Sequence, residues 1–125
     1  MRENPLHPKS FQFVEAPAFS RYRDDYIDDE GFAALQYRLA ENPDPGDLVP
    51  GAGGVRKVRW RDPRRKKGKR GGLRIIYYCF FSEEEIWLMT LYDKDEAADL
   101  SKNEKDQLRR ALETERAARK GTGLK

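Results

Sequence analysis

The spacing of apolar residues predicts most of the elements of this chain. Phe11–Val14 is a short apolar run that predicts a first strand. Ala18–Asp29 predicts a helix with a sparse apolar face of Tyr22, Tyr26 and Ile27. A second helix starts with Asp28 or Asp29 as its cap and places Phe32, Leu35 and Leu39 at i, i+3 and i+7. Asn42-Pro43 stops it, because proline pushes the residue before it out of helical geometry. Pro43–Gly54 holds three prolines and four glycines and predicts a loop.

Val55–Trp60 alternates, with Val55, Lys57 and Arg59 on one face and Arg56, Val58 and Trp60 on the other. Arg61–Gly72 then reads as a basic turn. Leu73–Phe81 is apolar on both faces, the pattern of a central strand. Ser82–Glu85 turns the chain into Ile86–Tyr92. Three strands in succession over short links predict an antiparallel meander. Ser101-Lys102-Asn103-Glu104 has the spacing of a capping box, so a last helix starts here, with Leu108, Ala111 and Leu112 on its apolar face. Gly121-Thr122-Gly123 ends it. These elements predict one α+β domain. A small, mainly antiparallel sheet of about four strands carries two N-terminal helices and one C-terminal helix. The expected limits are a flexible tail at 1–10, a domain at 11–120 and a loose tail at 121–125.

Composition sharpens this picture. A chain of 125 residues suits one domain, and its fourteen aromatic side chains argue against wholesale disorder. No apolar run approaches the roughly 20 residues of a membrane span, and Met1–Lys9 lacks the apolar core of a signal peptide. With one cysteine there is no intrachain disulfide, which points to a reducing cytoplasm. One His and one Cys cannot build a zinc site of the usual type, so no metal or cofactor is expected.

The net charge of +3 conceals a strong asymmetry. Arg56–Arg74 holds eleven bases and one acid, +10 in all, between stretches carrying −5 and −2. Such a block attracts polyanions, of which RNA and DNA are the commonest; a solvated basic loop is the plainer reading. The candidate nucleic-acid contacts are Arg56, Arg61, Arg64, Arg65, Lys66, Lys67, Lys69 and Arg70.

Ordinary catalytic devices are thin. His7 stands alone, Cys79 sits inside the most apolar strand as a small hydrophobe, and Glu83-Glu84-Glu85 reads as a hairpin tip. Gly51-Ala52-Gly53-Gly54 lacks the Lys-Ser/Thr pair of a phosphate-binding loop and reads as a turn. The cations remain. Lys57 and Arg59 share a strand face, Arg74 lies on the next strand, and a meander brings Tyr92 and Lys94 near it. An arginine in so apolar a strand calls for a polar opening or an anion, unless it simply reaches solvent from the strand's start. Spacing alone thus leads to a phosphate-binding sheet face.

The order of several strings resembles a known family. Val55-Arg-Lys-Val-Arg, Gly68-Lys-Arg-Gly-Gly, Leu73-Arg-Ile-Ile-Tyr-Tyr and Leu91-Tyr-Asp-Lys-Asp-Glu-Ala-Ala-Asp-Leu-Ser are similar to the HigB branch of the RelE/ParE toxin superfamily. Arg21-Tyr-Arg-Asp-Asp-Tyr and Asn42-Pro-x-x-Gly-Asp fit as well, so the likeness runs from Phe11 to Ala118. It implies a compact RelE-like fold and the toxin of a bacterial type II toxin–antitoxin pair. Its partners would be the ribosome, mRNA and a HigA-like helix-turn-helix antitoxin, with no membrane. RelE-like members cut mRNA in the ribosomal A site without a metal, by attack of the RNA's own 2′-OH on the adjacent phosphate.

By resemblance the paired second-strand bases fall on Lys57 and Arg59, and the third-strand arginine on Arg74. Arg74 would stabilise the phosphate, and Lys57 or Arg59 would stabilise it or move a proton. Two positions depart from RelE. Its Lys-Arg pair after the fourth strand reads Lys94-Asp95 here, and its C-terminal tyrosine falls near Ser101. Tyr92, Lys94, Lys69 or Arg70 would stand in. Two other readings are a ParE-like inhibitor that binds DNA gyrase without cleaving anything, and an inactive nucleic-acid-binding member.

Overall fold

The structure, a computed structural model, describes residues 11–43, 46–60, 72–94 and 96–123. The expected tail at 1–10, His7 and almost all of the basic turn lie outside the described residues. Eight elements follow in order: β1 (Gln12–Glu15), α1 (Pro17–Tyr26), α2 (Asp29–Glu41), β2 (Asp47–Leu48), β3 (Arg56–Trp60), β4 (Leu73–Phe80), β5 (Glu85–Asp93) and α3 (Lys102–Gly123). The class is α+β, with two N-terminal helices and one C-terminal helix.

Local chemistry explains the helix limits. Pro17 opens α1, where its missing N–H has no partner to lose. Asp28 caps α2, its Oδ1 accepting the Gly31 N–H at 2.7 Å. At α3 the capping box closes both ways. Ser101 N–H donates to Glu104 Oε1 at 2.7 Å, and Glu104 N–H donates to Ser101 Oγ at 3.1 Å.

The sheet has five strands in the order β1-β5-β4-β3-β2, one more than expected. The addition is β2, inside the stretch read as loop. It pairs with β3 through Asp47–Lys57 and Leu48–Arg56, and Gly46 lies so close that a Cβ there would stand 2.6 Å from Lys57 O. β3, β4 and β5 form the antiparallel meander, while β1 joins β5 in parallel. The register of β4 on β5 shifts between Ile76 and Tyr77, leaving Met89 without an opposite residue. The turn before β5 ends a residue early, so Glu85 is a strand residue.

Two apolar clusters sandwich the sheet. Phe19, Ile27, Leu35 and Leu39 from α1, α2 and their junction pack on Val58, Leu73, Ile75, Tyr77, Leu88 and Leu91. On the other face Leu108 and Leu112 of α3, with Leu100, Val49, Ala52 and Val55, pack on Ile76, Phe80 and Met89. Ala111 is exposed rather than part of α3's buried face, and Cys79 is only partly buried. Among the described residues no helix is long and apolar enough to cross a membrane.

Candidate functional site

Strand register assembles the cations. Arg59 lies opposite Arg74, and Arg74 lies opposite Tyr92. Directly opposed residues project to the same face with their Cα atoms about 4.5–5.5 Å apart, so the three form one row across β3, β4 and β5. Trp60, Leu73 and Asp93 form the neighbouring row, on the opposite face toward α1 and α2. Lys57 stands one row further along the first face, opposite the fully buried Ile76. This face is the one α3 covers: Leu108 and Leu112 of α3 share a buried cluster with Ile76, and Tyr92 packs against it. Arg59 is exposed, whereas Lys57, Arg74 and Tyr92 are half-buried.

Two like charges directly opposite each other weaken a strand pair. The register nevertheless sets Arg59 and Arg74 side by side, two positive charges on one face of the sheet. Lys94 follows the end of β5 and is exposed; its N–H donates to Gly72 O at 3.1 Å, which brings it beside the start of β4. Arg56 does not join this group. It alternates to the other face, opposite Tyr77, and donates from Nη1 to Gly46 O at 2.8 Å. Arg61, Arg64, Arg65, Lys66, Lys67, Lys69 and Arg70 lie outside the described residues.

Two further charges border the row that the sequence analysis did not single out. Asp99, in the link from β5 to α3, accepts the Leu100 N–H on Oδ1 at 2.7 Å. The same oxygen lies 4.0 Å from Lys57 Nζ, and Oδ2 lies 3.4 Å from Lys105 Nζ. The Leu100 hydrogen bond above all, then the ammonium groups of Lys105 and Lys57, hold the Asp99 carboxyl below the usual carboxylate range. Tyr92 shifts the other way. Burial first and the Asp99 charge second raise its phenol, while Arg74 pulls in the opposite direction. Tyr92 therefore keeps its proton at neutral pH.

A cavity of about 150 Å³ opens beside Tyr92, lined among others by Tyr22, Tyr26, Asp93, Glu96, Asp99 and Glu104. Its lining is rich in carboxylates, whereas the row beside it carries the cations. Among the described residues no group of three or more His, Cys, Asp or Glu side chains could hold a metal ion. The arrangement gathers Lys57, Arg59, Arg74 and Tyr92 on one part of the sheet face.

No protein-family model matches this chain. Among solved structures it is similar to the archaeal RelE-RelB complex from Pyrococcus horikoshii OT3, with 14% identity and a TM-score of 0.47. That match covers 71% of this chain and 100% of the other.

Proposed function

We propose that this chain is the toxin of a toxin–antitoxin pair, a metal-independent endoribonuclease that cuts mRNA on the ribosome. The observation that carries this reading is the Arg59–Arg74–Tyr92 row, with Lys57 beside it. In this role Arg74 faces the scissile phosphodiester, and Arg59 adds charge where a fifth oxygen crowds the phosphorus. The 2′-OH attacks that phosphorus, giving up its proton to solvent water, and the bond to the 5′ oxygen breaks, leaving a 2′,3′-cyclic phosphate and a 5′-OH. Tyr92, which retains its phenolic proton, delivers it to the departing 5′ oxygen, with Lys94 at the margin of the same patch.

The basic block supports the same reading. Seven of its bases fall in residues 61–71 of the sequence, and Arg59 and Arg74 of the row stand near the strand ends on either side of that stretch. Their charge suits a site walled by ribosomal RNA. The family resemblance supplies the partner: a HigA-like helix-turn-helix antitoxin, held against the toxin until release.

A reconstituted bacterial translation reaction on a defined mRNA, mapped by primer extension with and without ribosomes, tests this. Cuts that require translating ribosomes and vanish in Arg74→Ala are expected. Intact mRNA in every lane, from protein that still binds its antitoxin, would sink the reading and turn attention to gyrase supercoiling.

A further inference from the structure

Lys57 and Lys105 reach one carboxylate from two different elements. Lys57 comes from the middle of β3, and Lys105 from the first turn of α3. Their ammonium nitrogens stand 4.0 Å and 3.4 Å from the two oxygens of Asp99. The lysine side chains are 32% and 25% exposed, while that of Asp99 is 50% exposed, so the carboxylate is the outermost and most easily displaced member. Asp99 is a monoanion with two acceptor oxygens, the same charge and acceptor pattern that a phosphodiester presents.

We propose that Lys57 and Lys105 form a second phosphate subsite beside the Arg59–Arg74–Tyr92 row, with Asp99 as its internal counter-anion. The occupant is the phosphodiester next to the scissile one on the same RNA strand, so the inference rests on the RNA-cleaving reading of the row. Two ammonium groups converging without an anion would repel each other and splay. Asp99, fixed by the Leu100 N–H, holds them converged before RNA arrives. Ion pairs this exposed are weak, so a phosphodiester backed by the rest of a polyanion displaces the carboxylate.

The test is binding of a single-stranded RNA oligonucleotide, followed by fluorescence anisotropy over a range of salt concentrations. Lys105→Ala is expected to weaken binding about 3–10-fold and to lower the slope of log K against log salt by about 0.7, the loss of one phosphate contact. Asp99→Asn, which keeps an oxygen for the Leu100 N–H, is expected to tighten binding about 2–5-fold by removing the competing charge. Unfolding midpoints of both variants check that the fold is intact. Wild-type affinity and slope in Lys105→Ala, or affinity in Asp99→Asn at or below wild type, would overturn the subsite. Arg74→Ala separates the two ideas. If it weakens binding while Lys105→Ala does not, only the subsite falls; if neither does, the RNA-cleaving reading falls with it.

Discussion

On β4, Leu73, Ile75 and Tyr77 point toward α1 and α2 and are fully buried, whereas Arg74, Ile76 and Tyr78 point toward α3 and only Ile76 is. The first face is closed at its centre by apolar contact, with Phe19, Leu35 and Leu39 each at 0% exposure. The second is closed by Leu100, Leu108 and Leu112 at its centre and by arginines at its far end. There Arg119 lies 3.8 Å over the Phe80 ring and bonds Glu85 at 2.6 Å and Glu115 at 2.8 Å. Arg116 donates to Gly53 O and lies over the Tyr78 ring. At the near end stands the row of Arg59, Arg74 and Tyr92, the first exposed and the other two half-buried. One strand thus holds the fold together with its odd-numbered residues and carries a half-buried cation, Arg74, among its even-numbered ones.

Adjacent substitutions would break or sharpen that division. Arg74→Ala is expected to lower ribosome-dependent cleavage by about 100-fold or more, the usual loss when a preorganised cation is removed from a developing anion. Its denaturant midpoint should stay close to wild type. Ile75→Ala, one residue on, should do the reverse in kind, losing about 2–5 kcal/mol of stability in urea titration. Equal destabilisation by the two would show that Arg74 belongs to the core and not to a site.

A smaller effect is expected at the far end of the α3 face. Arg119→Ala should cost about 1–2 kcal/mol, because it removes a ring contact and partly buried charged hydrogen bonds together. This region also carries an acid limb. The Arg119 hydrogen bond first, and that from Trp87 Nε1 second, hold Glu85 below the usual carboxylate range. A folded-state value below the unfolded one contributes stability above the unfolded value, lost as pH falls through the lowered one. Glu85→Gln should therefore flatten the acid limb of the stability profile, and an unchanged limb would discount the clamp.

The smallest effect lies on the α1 side. Tyr26 donates to Glu96, and that hydrogen bond followed by burial pushes its phenol up to about 12. The folded value lies above the unfolded one of 10, so the contribution is full below pH 10 and lost as pH rises toward 12. Tyr26→Phe should remove that alkaline decline in thermal melts. A decline of the same size in the variant would assign it to another group.

What could be read along the chain was local. The caps at Asp28 and Ser101, the stop at Pro43 and the double-faced apolarity of β4 depend on neighbours within about four residues, and all appear where their residue types demand. Alternation likewise put Lys57 and Arg59 on one face before any partner strand was known. The two-residue β2 escaped because pairing with β3 creates it, through Val49 N–H to Val55 O and the close passage of Gly46, and not through any apolar run of its own. Parallel β1 against β5, the early start of β5 at Glu85 and the exposure of Ala111 are equally products of packing.

The site divides along the same line. Which residues carry charge, and that they concentrate between Arg56 and Arg74, is written in the chain itself. That Arg59, Arg74 and Tyr92 stand in one row, that Arg56 turns away to Gly46, and that Asp99 and Lys105 join Lys57 is decided only in three dimensions. The physical reason is that side-chain direction follows from a strand's two-residue period, whereas opposition across strands and against α3 depends on register. Register is set by the whole sheet, down to the single shift between Ile76 and Tyr77.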